Sequence, residues 1–188
     1  MAKFYHYVAD YKVKRLAEYG KKELTPNRRF ITYNEASGLP HDAYRGALWG
    51  LHNPEPDICE SGFDVNPNID CIRKQCAGGD KLHLLEITIA PEDNIYVCDT
   101  AVFKDTREMP YDPDDSLQAC RIHDAFLAYY NSLIPFNNYE NRQYAEPEVV
   151  CFNPIPITRV KLLKTSEDFY TPPQPVDPDE LLGLLNFD

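Results

Sequence analysis

Residues 82–89 form the strongest strand pattern in this chain, and a second apolar run, Ile95 to Cys98, follows after only the short turn from Pro91 to Asn94. That gap is too short for the crossover of a dozen or more residues that parallel neighbours require. The late runs 147–152 and 157–163 are spaced as tightly, with Pro154-Ile155-Pro156 between them. Strands outnumber helices, so the pattern predicts an α+β domain built on mixed, mostly antiparallel sheet with helices packed on it.

The remaining elements follow from periodicity and stop signals. Residues 3–8 read as an opening strand. Asp10 can cap a helix over 11–19, with Val13, Leu16 and Ala17 at helical spacing and Gly20 as its stop. After a turn over 21–27, a short strand is expected over 29–33. The loop Gly38-Leu39-Pro40-His41 leads to an expected helix over 42–51, with Tyr44, Ala47, Leu48 and Leu51 on one side. A further helix fits 116–131. Residues 53–80 are dense in Pro, Asn, Gly and Asp and read as an insertion. One domain over 1–164 is expected, followed by an acidic, proline-rich tail over 165–188 that ends in a short apolar segment.

Composition narrows the function. At 188 residues the chain can bury a real core, and no apolar run approaches the length that crosses a membrane. The N-terminus lacks the pattern of a secretory signal, and six dispersed cysteines suit a reducing, cytoplasmic setting. Net charge is −11, unevenly distributed: residues 1–30 carry eight Lys or Arg against three acids. The acidic total argues against a nucleic-acid partner and the basic N-terminal lobe suits a small anion such as a pyrophosphate.

Two short segments carry chemistry. Phe4-Tyr5-His6-Tyr7 sets one imidazole on the first strand, and Glu146-Pro147-Glu148 opens a late one. Between them lie Leu16-Ala17-Glu18-Tyr19-Gly20, Leu24-Thr25-Pro26, Phe30-Ile31-Thr32-Tyr33, and the strand pair Leu84-Leu85-Glu86-Ile87 and Ile95-Tyr96-Val97. The run Glu148-Val149-Val150-Cys151-Phe152-Asn153-Pro154-Ile155-Pro156 closes the set. In this order, over residues 3–163, the segments resemble the ADP-ribosyltransferase fold, on its diphtheria-toxin-like side with a His–Tyr–Glu signature.

The resemblance implies a mono-ADP-ribosyltransferase that uses NAD as substrate, releases nicotinamide and modifies a protein acceptor, as a bacterial toxin or effector would. It implies NAD contacts from His6 and Tyr7, Thr32 and Tyr33, Tyr44, and Arg28 and Arg29, with Lys12 a further cation for the pyrophosphate. His6 would hold the adenosine-side ribose, and an aromatic (Tyr33 or Tyr44, with Trp49 in reserve) would stack on nicotinamide. Glu148 would hold the nicotinamide ribose and stabilise positive charge as it develops there. Glu146 is the alternative acid, because Glu-Pro-Glu also fits the family's Glu-x-Glu form; that form goes with Arg on the first strand, where this chain has His6.

Each residue also has an ordinary explanation. His6 alone fits a strand histidine bonded to backbone, Glu148 a solvated strand end, and the tyrosines packing. Zinc at Cys59, Cys71, Cys76 and His83 lacks the usual paired spacing. His41-Asp42 and His123-Asp124 resemble the pairs of all-helical metal phosphohydrolases, which the strands disfavour. Cys98 or Cys151 with His83 has no local nucleophile signature. A non-catalytic interaction domain on the same fold, and an NAD glycohydrolase, remain as alternatives, and no metal is expected.

Overall fold

The computed structural model describes residues 2–26, 28–31, 38–53, 81–107, 116–140 and 143–165. The chain is α+β, and every strand pair among the described residues is antiparallel. Strand β1 (Lys3–Ala9) leads directly into helix α1 (Asp10–Glu18), and Gly20 ends that turn at φ +58°, a backbone region open to glycine. Short strands β2 (Glu23–Leu24) and β3 (Arg28–Arg29) follow, then β4 (Gly46–Gly50), β5 (Leu82–Thr88) and β6 (Ile95–Asp99). Helix α2 spans Ser116–Asn131 and precedes β7 (Ile134–Pro135), β8 (Pro147–Cys151), β9 (Ile155–Pro156) and β10 (Val160–Thr165).

Three strands in the order β1-β5-β10 form one sheet, five in the order β3-β4-β8-β6-β7 form another, and β2 pairs with β9. One core lies between the two larger sheets, where Phe4, Val8, Leu85 and Ile87 meet Ile95, Val97, Val149 and Cys151. A second lies between the five-stranded sheet and α2, where Cys98 and Val150 meet Ala47, Phe30 and Tyr129. Strand alternation divides β8 between the two: Val149 and Cys151 face the first, Val150 the second, all three fully buried. Burial on both faces explains why this strand reads as an unbroken apolar run.

The structure corrects three local expectations. The tight turn after residue 89 does not make a hairpin: β5 and β6 belong to different sheets, and the turn carries the chain from one to the other. Asp93 fixes that transition, accepting from the Ala90 amide at 2.8 Å and from both terminal nitrogens of Arg159 at 2.6 and 2.9 Å. The helix expected over 42–51 is a single 3-10 turn, His41–Tyr44, followed by β4. Pairing of β4 with both β3 and β8 outweighs the weak helical spacing of Ala47, Leu48 and Leu51. Of the strand expected over 29–33, Arg29 lies in β3, Phe30 and Ile31 lie past its end and donate to the Arg45 and Ala43 carbonyls, and residues 32 and 33 fall outside the described residues.

Among the described residues, a backbone bridge joins the two larger sheets. Tyr5 donates to the Leu51 carbonyl at 3.0 Å, and Leu51 donates back at 2.6 Å. A side chain at Gly50 would put its Cβ 2.4 Å from the Tyr5 carbonyl oxygen and 2.6 Å from the Phe4 ring, so this approach requires glycine.

Candidate functional site

The bridge sets β1 beside β4, and a cleft of about 720 Å³ opens beside them. His6 and Tyr7 line it from β1, Trp49 from β4, and Glu148 from β8. Tyr11, Lys12, Arg15 and Tyr19 line it from α1 and its end, and Lys21 and Arg28 from the segment beyond. The volume lies in the range of small-molecule sites.

His6 is oriented by the neighbouring sheet. Its Nδ1 lies 2.6 Å from the Trp49 carbonyl oxygen, which only accepts, so Nδ1 carries the hydrogen. Burial pushes the imidazole pKa down to about 4, opposed by the Trp49 hydrogen bond and reinforced by the nearby Lys12 ammonium. His6 is therefore neutral at pH 7, and Nε2, which has no partner among the described residues, is an acceptor.

Glu148 opens β8 opposite Cys98, on the strand face directed at α2. There the Tyr129 hydroxyl donates to its Oε2 at 2.5 Å. Tyr129 is buried between Phe30 and Phe103, with ring centroids 5.0 and 5.1 Å away. Burial, then the Glu148 charge, drives the Tyr129 pKa well above its usual value, so the phenol keeps its proton and donates throughout the working range. The same two causes raise the Cys98 thiol. Burial also lifts Cys151 to about 11, and neither thiol suits nucleophilic work.

Not every candidate reaches the cleft. His6, Tyr7, Arg28 and Glu148 line it, as do Lys12 and Trp49; Arg29, Tyr44 and Glu146 do not. Tyr44 sits in the 3-10 turn, where its hydroxyl accepts from the Leu39 amide at 3.1 Å. Glu146 precedes β8, and its carboxylate accepts from the Thr100 hydroxyl at 3.2 Å while its amide donates to Asp99. That role is structural: it ties the end of β6 to the entry of β8. Thr32 and Tyr33 lie outside the described residues, as do Cys59, Cys71 and Cys76.

Trp49 is thus the large aromatic that β4 brings to the cleft. Sequence reasoning passed over Tyr129, since nothing local links a helix tyrosine to a strand 19 residues later. It also passed over Arg15 and Tyr19, although the spacing 11-15-19 marks one face of α1.

His83, the remaining zinc candidate among the described residues, bonds Asp10 through Nε2 at 2.8 Å. No group of three or more potential metal ligands occurs among the described residues, and no helix among them is long and apolar enough to cross a membrane. Set against family models, curated proteins and solved structures, the chain matches none.

Proposed function

We propose that this protein is an ADP-ribosyltransferase that cleaves NAD at its bond to nicotinamide and passes ADP-ribose to a macromolecular acceptor. One observation carries the reading: an imidazole from the first strand and a carboxylate from a late one, 142 positions apart, line a single cleft together with four cations and an indole. The residues fit the substrate. His6 Nε2 is an acceptor suited to a ribose hydroxyl, Lys12 and Arg28 suit the pyrophosphate, and Trp49 suits the nicotinamide ring.

When the bond from ribose C1′ to nicotinamide breaks, positive charge grows on the ribose. A carboxylate fixed in advance stabilises that charge without reorganising, and Tyr129 supplies the fixation for Glu148. Loss of nicotinamide leaves C1′ open to an acceptor nucleophile or to water. A role as a bacterial toxin or effector belongs to the same proposal, by analogy of architecture.

Incubation of the purified chain with NAD labelled in its adenosine half, in the presence of cell lysate, tests the reading. Label on macromolecules supports transfer. Free ADP-ribose alone points to a glycohydrolase, and intact NAD leaves a non-catalytic binding domain.

A further inference from the structure

Four cations line the cleft, twice the number that the two phosphates of NAD need. Lys12, Arg15, Lys21 and Arg28 make no ion pair among the described residues, whereas the neighbouring Lys14 is paired with Asp10. Glu148 is the one acid among the lining residues, which leaves the lining at +3. Unpaired like charges gathered on one wall repel one another, and an anionic ligand relieves that cost.

Aromatic side chains alternate with these cations. Tyr11, Arg15 and Tyr19 fall four residues apart and share one face of α1 and its end, with Lys12 beside them and Lys21 beyond. Tyr19 is 70% exposed and Tyr11 41%, which puts their rings at the solvent edge of the cleft. Protruding aromatics interleaved with cations form the surface on which bases stack while phosphates meet charge.

The chain's charge of −11 gives a poor account of this face. What a ligand in the cleft meets first is the lining itself, four cations against one carboxylate.

We infer that the rim formed by Tyr11, Arg15, Tyr19 and Lys21 binds single-stranded nucleic acid, and that this strand is the acceptor of the transfer. The binding stands on the rim alone; the transfer rests on the function proposed above. In that step an N–H or O–H group of the strand attacks C1′ of the ribose. The C1′–N bond breaks, nicotinamide leaves with the bonding pair as a neutral molecule, and the nucleophile's proton passes to water. The whole-chain charge argument for a protein acceptor does not apply to a lining of opposite sign.

The test is direct binding of a fluorescent 12-nucleotide single strand of mixed sequence, without NAD, across a salt series. The two rim cations, Arg15 and Lys21, predict a slope of log K against log salt of about −1.4, at about −0.7 per contact. Arg15→Ala with Lys21→Ala brings the slope close to zero, and Tyr19→Ala weakens binding about 5- to 100-fold. All three side chains are exposed, so the variants keep the fold.

Absence of binding at 50 mM salt, equal affinity for a 12-residue polyglutamate, or indifference to these substitutions overturns the inference; the polyglutamate result would assign the rim to an acidic protein segment. Nicotinamide release is followed in parallel. NAD turnover with no strand binding sinks the rim assignment alone, and strand binding with intact NAD sinks the transferase reading alone.

Discussion

The Tyr129 hydroxyl donates to Glu148 Oε2 at 2.5 Å, joining helix α2 to the start of strand β8. A carboxylate tethered from behind is held in one rotamer, which is the condition for stabilising charge at a fixed point. Tyr129→Phe removes the tether and keeps the ring. We expect kcat for nicotinamide release to fall about tenfold with KM for NAD little changed, because the lost effect belongs to the transition state. A variant that loses only thermal stability would reduce Tyr129 to a packing residue.

Glu148→Gln keeps the shape and an oxygen that can accept from Tyr129, but removes the charge. Nicotinamide release should vanish while the urea midpoint moves little. Glu146→Gln, which touches the bond to Thr100, should instead leave turnover near wild type. The reverse pattern would transfer the catalytic role to Glu146.

His6 has a folded pKa near 4 against an ordinary value of 6.5. Protonation is therefore harder in the folded state than in the unfolded chain. The contribution to stability is complete above about pH 6.5 and declines as pH falls toward 4. Between pH 7 and pH 4.5 it should cost about 2.5 kcal/mol, at about 1.36 kcal/mol per pKa unit. Urea unfolding at both pH values checks this, since His6→Gln should lose less stability across the interval by about that amount.

Gly50→Ala forces a methyl group against the Tyr5 carbonyl and the Phe4 ring. Both neighbours belong to β1, and Phe4 is fully buried, so relief requires the sheets to separate. Overpacking of this kind costs about 1–3 kcal/mol. Thermal unfolding should report that loss, and KM for NAD should rise because the cleft is built on the same junction.

Asp93→Ala leaves the partly exposed Arg159 without its bidentate partner. Loss of about 1–3 kcal/mol in urea unfolding is expected, from the charge-assisted hydrogen bonds removed with the carboxylate. The site lies at the turn between β5 and β6, so nicotinamide release by the folded fraction should be unchanged.

What the sequence revealed follows the range of the forces involved. Helices α1 and α2 were legible because periodicity and the Gly20 stop act within a few residues, and α2 matches residues 116–131. Strand β8 was legible because burial on both faces leaves an unbroken apolar run. Strand β4 was hidden: Ala47, Leu48 and Trp49 owe their extended form to partners on β3 and β8. The sheet change after β5 was equally invisible, since Asp93 depends on Arg159, 66 positions away.

The site divides in the same way. His6, Arg28 and Glu148 could be selected by residue type and order. Tyr129 could not, because its importance arises only where α2 crosses β8. Net charge is a whole-chain sum and does not give the local balance of the cleft lining, four cations and one carboxylate.

The bond from His6 Nδ1 to the Trp49 carbonyl has one more effect. At pH 7 a ring anchored at that nitrogen and kept uncharged carries its lone pair on Nε2. A ligand group that meets that atom has to bring its own hydrogen, which favours alcohols and amines over carbonyls and phosphate oxygens. One peptide oxygen on the adjoining sheet thereby sets which nitrogen of the first-strand imidazole is left to accept.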